Sequence, residues 1–244
     1  MYLVVAAVVC GLLAGPWLRA AVVRLAVESG AADRVACPHC GGRLFGDPPR
    51  RWGALSPSGR CPRCRDRIGP VPFLVEAAAG AAAGALAAVL GPRPELPAMV
   101  FLALVGLALA AIDISVHRLP DRLTLPAYPV LVLLLGAAAL LDGRWEPLLR
   151  ALAAGLVTGL GYLALVLLRP DQLGLGDAKL GGVLGIALGW FGWDALLYGV
   201  ALAFVACAVT GLGVLAARRG TLKTSLPLGP FMVAGAFAVI LTSA

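Results

Sequence analysis

Two aspartates lie at the ends of long apolar segments of this 244-residue chain. Asp113 stands near the end of one segment, and Asp177 closes the run Gly174-Leu175-Gly176-Asp177 directly before another. An ionisable side chain inside a membrane segment costs about 2.5–3.5 kcal/mol on insertion scales, so such residues mark functional sites. Two neighbouring carboxylates can share one proton and activate a water molecule for attack on a peptide carbonyl. The pair therefore predicts an aspartic protease site.

Each acid also has a simpler interpretation. The two glycines before Asp177 allow a sharp turn and close approach to a substrate, yet an acid in the first turn of a helix can serve only as its cap. Taken alone, Asp113 could be an interfacial acid paired with His117 or Arg118. Asp121, beyond Pro120, could be a helix cap or the ion-pair partner of its neighbour Arg122.

Four cysteines form a second chemical feature. Two CxxC pairs are separated by 20 residues, and their members are Cys37, Cys40, Cys61 and Cys64. This spacing is typical of two turns that present four thiolates to one tetrahedral Zn²⁺. Two disulfides or four unrelated thiols are the alternatives, and a reducing compartment would favour zinc. Cys10 and Cys207 are isolated in apolar segments and receive no role, and His39 is not expected to be a ligand.

The composition is that of an integral membrane protein. Hydrophobic residues make up 60% of the chain, charged residues 14%, and the mean hydropathy is +0.92, whereas soluble domains have about 45–50% apolar and 25% charged residues. Segments long enough to span a bilayer predict an all-α, polytopic fold with about eight transmembrane helices, the first of them retained rather than cleaved. They cover residues 2–23, 71–91, 97–116, 123–141, 147–168, 177–192, 194–217 and 227–243.

The distribution of charge predicts the orientation and the domains. If the segment after the first helix is cytoplasmic, 17 of the 20 Lys and Arg residues lie on that side, as the positive-inside rule requires. Both predicted catalytic acids then lie near the cytoplasmic surface of the cell membrane. We expect a first helix in 1–27, a cytoplasmic, zinc-ribbon-like loop with the four cysteines in 28–70 and a membrane-embedded domain in 71–244. The net charge of +7 is explained by this asymmetry and by contact with membrane lipid, so nucleic acid is not expected as a partner.

Three separated motifs make the chain resemble the type IV prepilin peptidases, which are GxGD membrane aspartic proteases. The first motif surrounds Asp113 and continues through Leu119-Pro120-Asp121 and Thr124-Leu125-Pro126. The second is the GxGDxK run, and the third is a Pro-x-Gly-Pro-Phe signature. Their supporting residues are Gly174, Gly176, Lys179, Pro227, Gly229, Pro230 and Phe231.

The resemblance implies catalysis by Asp113 and Asp177. The substrate would be a prepilin or pseudopilin with a hydrophobic N-terminal helix, of type IV pilus or type II secretion systems, and its short basic leader would be removed, usually after glycine. Bifunctional members also N-methylate the new amino terminus with S-adenosylmethionine, and the region of Glu76 would belong to that activity. The chain departs from the family pattern in 45–53 and in 15–20, which leaves methylation open.

Two other classes of function stay open at this point. A proton-coupled membrane carrier would also keep ionisable residues in its membrane segments. A pilus-assembly scaffold built on the cysteine loop would need no catalysis. Placement of both acids at one face of the membrane, rather than near its midplane, favours the protease.

Overall fold

The computed structural model describes residues 1–28, 30–45, 56, 58–169, 173–218 and 226–243, and in these parts the chain is all-α. Eight helices are present within them, as the apolar segments predict. Their bounds are α1 Tyr2–Leu25, α2 Leu74–Leu90, α3 Leu96–Val116, α4 Asp121–Asp142, α5 Glu146–Leu168, α6 Leu175–Phe191, α7 Trp193–Ala216 and α8 Gly229–Ser243.

Five of these helices are long and apolar enough to cross a membrane, namely α1, α3, α4, α5 and α7. The helices α2 and α8 are shorter and apolar, and α6 has 17 residues. Large apolar side chains stay exposed along the outer helices, for example Leu133, Leu156 and Val209. Such surfaces fit a bilayer rather than water, so the chain is a multi-pass membrane protein.

The boundary between α6 and α7 is a single glycine. Gly192 has a φ of 145°, a backbone conformation that side chains rarely adopt. It ends α6 and serves as the N-cap of α7. The two helices are therefore separate, as the eight-segment count predicts, and not one merged helix.

The helix that carries Asp177 is the central element. Every residue of α6 from position 180 to 190 is buried, which explains why α6 is apolar on all sides. Gly181 lies against the ring of Tyr162, and Gly185 against the hydroxyl of Thr158, both on α5. The small face that these glycines form could receive a substrate helix or pack internally. It packs internally, because α5 and α4 already occupy it.

Small residues also bring α1 and α2 together. On α1, Gly11 lies against the backbone of Ala79, and Gly15 against Glu76. On α2, Gly80 and Gly84 lie against side chains of α1. Each helix thus carries a small-xxx-small pair, and such pairs let helix backbones approach closely within a membrane. The long loop between these two helices carries the cysteines.

Candidate active site and metal centre

Asp113 is buried at the C-terminal end of α3. It is only 5% exposed, and its Oδ2 accepts a hydrogen bond of 2.9 Å from the backbone amide of Gly229. Gly229 is the first residue of α8, where amides have no partner within their own helix. Pro227 precedes this helix, and Pro230 occupies its first turn, where the missing N–H of proline costs nothing. The third motif thereby delivers a free amide to the carboxylate of Asp113.

Asp177 lies in the first turn of α6 and is partly exposed. Its Oδ2 accepts a hydrogen bond of 2.9 Å from the amide of Gly174, and its own amide donates to the carbonyl of Gly174 at 3.0 Å. The carboxylate therefore does act as a helix cap. This contact occupies one oxygen of the Asp177 carboxylate. Because the residue stays partly exposed, its carboxylate is also accessible for a catalytic role.

Leu119 lies between the two motifs and touches both. A side-chain carbon added at Gly176 would lie 2.9 Å from the Cβ of Leu119, and one added at Gly229 would lie 3.4 Å from its Cδ2. Gly176 is adjacent to Asp177, and the amide of Gly229 binds Asp113. The fold thus brings both acids to one end of the bundle, where α3 ends and α4, α6 and α8 begin.

The ion pairs around this end differ from those that the sequence suggests. Asp121, in the first turn of α4, accepts a contact of 2.6 Å from Lys179 on α6. Arg122 pairs instead with Asp33, so the proposed Asp121–Arg122 pair is wrong. Arg118 donates to the carbonyl oxygen of Glu28 at 3.0 Å. Its guanidinium is therefore engaged away from Asp113.

The four cysteines of the loop form one cluster. Their sulfur atoms all lie within 4.8 Å of one another, and the Cys37–Cys64 and Cys40–Cys61 separations are both 3.8 Å. Four Zn–S bonds of about 2.3 Å in a tetrahedron place the sulfurs about 3.8 Å apart. All four are free thiols. The donor set and spacing fit a structural zinc ion, and the disulfide alternative has no support here.

The two CxxC turns repeat the same backbone design. The amide of Cys37 donates to Gly42 at 2.8 Å, and the amide of Cys61 donates to Asp66 at 2.8 Å. The residue after each pair has a positive φ, 66° at Gly41 and 61° at Arg65. Glycine adopts this conformation freely, whereas arginine does so with strain.

The thiols of the cluster cannot all ionise independently. Burial opposes ionisation of Cys61, but the backbone amides of Cys64 and Arg63 lower its thiol pKa to about 7. For Cys64, the backbone amide of Asp66 favours the thiolate, yet burial and the neighbouring thiols of Cys40 and Cys61 raise its pKa to about 12. Four thiolates at these distances require a cation to balance their charge.

Comparison with known proteins agrees with these motifs. The model of the type IV leader peptidase family matches residues 100–212. A prepilin leader peptidase/N-methyltransferase of Stutzerimonas stutzeri is 30% identical over 273 residues, which cover 98% of this chain and 90% of that protein. The chain belongs to the type IV leader peptidase family.

Two further members of the leader peptidase family carry the same name. The relative from Burkholderia pseudomallei strain 1026b is 37% identical over 219 residues, which cover 85% of this chain and 66% of the relative. The relative from Aeromonas hydrophila is 33% identical over 214 residues, which cover 85% and 71%. The chain therefore spans about two thirds of the length of the first of these. No solved structure matches the chain.

One ion pair in this leader peptidase family member was not expected from its sequence. The Arg19 side chain on α1 is fully buried and binds Glu76 on α2 through two contacts, Nε to Oε1 at 2.8 Å and Nη2 to Oε2 at 2.7 Å. It also donates to the carbonyl oxygens of Pro70 and Val71. Arg19 is therefore a buried residue of α1, and it should not be counted among the Lys and Arg residues of the loop that predict the orientation. The signal that could have revealed the pair is one acid and one base in neighbouring apolar segments.

The same pair bears on the methyl donor that the family implies. Both carboxylate oxygens of Glu76 are occupied by Arg19, and Glu76 is only 6% exposed. The Arg19 guanidinium therefore compensates the negative charge of Glu76 within the protein. These contacts give Glu76 a structural role, and its place in a methyl-transfer region stays a prediction.

Proposed function

We propose that this chain is an aspartic endopeptidase that removes the leader of prepilin-like proteins. The observation that carries the proposal is the convergence of Asp113 and Asp177 at one end of the bundle, with Leu119 packed against both motifs. The names of the relatives support the substrate class, because each is a prepilin leader peptidase.

Two neighbouring carboxylates that share one proton can carry out the reaction. The ionised carboxylate takes a proton from water as the water oxygen bonds to the carbonyl carbon of the scissile peptide. The protonated carboxylate donates a hydrogen bond to the carbonyl oxygen. When the carbon–nitrogen bond breaks, the leaving amine receives a proton from the pair, which returns to its starting state.

The distribution of charge supports cleavage at the cytoplasmic face. The start of the cysteine loop contacts Arg118 and Arg122 at the end of the bundle that holds both acids. Most of the Lys and Arg residues in the described part of the chain belong to the segments at this end, and such residues concentrate on the cytoplasmic side. A leader that stays in the cytoplasm while the following helix enters the bilayer would present its junction at this depth. The four cysteines would hold a structural Zn²⁺ that orders the loop beside this face.

The test is cleavage of a prepilin reconstituted with the enzyme in the same bilayer. Wild type should shift the mobility of the substrate, whereas Asp113→Asn and Asp177→Asn should each abolish the shift. Asp194→Asn is the matched control, because Asp194 also lies in the first turn of a helix but is exposed at the start of α7. Cleavage by both active-site variants would refute the assignment, and a wild type without activity would favour a carrier or a scaffold.

N-methylation of the new amino terminus is a second candidate, supported by the names of the relatives. Mass spectrometry of the processed pilin, with S-adenosylmethionine supplied, decides the question. A gain of one methyl group at the new amino terminus would support this candidate, and an unmodified amino terminus would refute it.

A further inference from the structure

Tyr128 of α4 makes a polar contact with α6 close to Asp177, although it belongs to none of the three motifs. Its hydroxyl donates a hydrogen bond of 2.7 Å to the backbone carbonyl of Lys179. That carbonyl lies in the second turn of α6, two residues beyond Asp177. A hydroxyl in apolar surroundings needs such a partner, so the contact fixes both the tyrosine and the helix that it touches.

The backbone of α6 is shaped to receive this hydroxyl. A side-chain carbon added at Gly182 would overlap the hydroxyl oxygen of Tyr128. The phenol ring therefore packs against Gly182, where any side chain would overlap it. This position lies one turn after the carbonyl that the hydroxyl binds. Tyr128 thus sits against α6 in one defined register.

A second contact joins the same two helices nearer to the end of the bundle. The ammonium group of Lys179 lies 2.6 Å from Oδ1 of Asp121, and their side chains are 35% and 55% exposed. Exposed ion pairs of this kind stabilise a protein by less than about 1 kcal/mol. The pair therefore guides the position of α6 but does not hold it alone.

These contacts matter because the carboxylate of Asp177 is bound only locally. Within the described residues, its hydrogen bond goes to the amide of Gly174 in the same turn. Asp113, by contrast, is held by Gly229 from another helix. How far Asp177 lies from Asp113 consequently depends on how α6 sits against its neighbours, and α4 and Leu119 are the neighbours beside the first two turns of α6.

We propose that Tyr128, supported by the Asp121–Lys179 pair, is a positioning residue that fixes Asp177 opposite Asp113. The proposal rests on the proposed peptidase function. It predicts that loss of the Tyr128 hydroxyl slows the chemical step while binding of the substrate helix stays the same, because the hydroxyl is directed at α6 and not at lipid or substrate.

The first test is Tyr128→Phe in the prepilin cleavage assay, with kcat and KM measured separately. A displaced carboxylate should lower kcat by about tenfold, and KM should stay within about twofold. Tyr198→Phe is the matched control, because Tyr198 is exposed on α7 and its hydroxyl makes no hydrogen bond within the described residues. An unchanged kcat in Tyr128→Phe would overturn the proposal.

A second test exchanges the charges of the supporting pair. Asp121→Lys and Lys179→Asp should each lower kcat, and the double exchange should recover most of the loss. Reduced kcat without recovery would overturn the supporting role of the pair.

A third measurement needs no substrate. Hydrogen–deuterium exchange of peptides that cover the first two turns of α6 should be several-fold faster in Tyr128→Phe than in wild type, and unchanged in Tyr198→Phe. Unchanged exchange in Tyr128→Phe would refute the positioning role. If wild type does not cleave prepilin, the peptidase proposal falls, and this exchange measurement still decides whether Tyr128 holds α6.

Discussion

Replacing Gly229 by alanine should damage the active site more than it damages the fold. The added methyl carbon would lie 2.7 Å from Oδ2 of Asp113 and 3.3 Å from its carboxylate carbon. Carbon–oxygen contacts are normally about 3.3–3.6 Å long. Either the carboxylate or the start of α8 must therefore move by at least about 0.6 Å to reach that range.

The expected loss of activity follows from the hydrogen bond that this movement disrupts. The hydrogen bond from the amide of Gly229 to Asp113 is 2.9 Å long and buried. Hydrogen bonds to charged groups contribute about 1.5–3 kcal/mol, and a displacement of about 1 Å at a catalytic group costs about 100-fold in rate. We therefore expect kcat/KM for prepilin cleavage to fall by about 10- to 100-fold.

The assay is single-turnover cleavage of a prepilin in the same bilayer, with thermal unfolding measured on the same preparation. Gly161→Ala on α5 is the control, because a carbon added there meets no atom beyond its own helix backbone within 4 Å. Alanine also favours a helix over glycine by about 1 kcal/mol. Gly161→Ala should therefore fold as well as wild type, and Gly229→Ala should lose no more than the roughly 1.5–3 kcal/mol of the hydrogen bond to Asp113.

Activity of Gly229→Ala within about twofold of wild type would refute this reasoning. It would mean that Asp113 does not depend on the amide at the start of α8. A loss of activity that merely follows the loss of folded protein would also contradict it.

Three further predictions concern the loop and the buried ion pair. Cys61→Ser should lower the bound zinc measured by elemental analysis, and wild type should release zinc as the pH falls, because only thiolates bind the metal. Arg65→Gly should strengthen zinc retention against a chelator by about fivefold, since it removes roughly 1 kcal/mol of backbone strain; unchanged retention would exclude strain there. Glu76→Gln should destabilise the fold by about 3–5 kcal/mol in thermal unfolding by leaving Arg19 uncompensated, and adding Arg19→Met should restore most of it.

The order of the helices and the identity of the acids are evident in the sequence. Runs of about 20 apolar residues must form helices in a bilayer, because backbone polar groups cannot stay unpaired there. The eight helices therefore lie where the apolar segments predict them. Asp177 could be recognised because charge in such a segment is costly, and the cysteines because zinc imposes its own spacing.

The partners of these residues could only be found in the folded chain. Apolar patterning gives the length of a helix but not which of its sides meets which neighbour, since lipid and protein interior are equally apolar. Arg19 and Glu76 are 57 residues apart, and Lys179 meets Asp121 across 58. The small face of α6 could have received a substrate helix or a neighbouring helix. Only the folded structure shows that α5 and α4 pack against it. The sequence by itself determined which groups are the candidates for the chemistry. The tertiary structure decided what holds them, because those contacts join helices whose pairing no local pattern encodes.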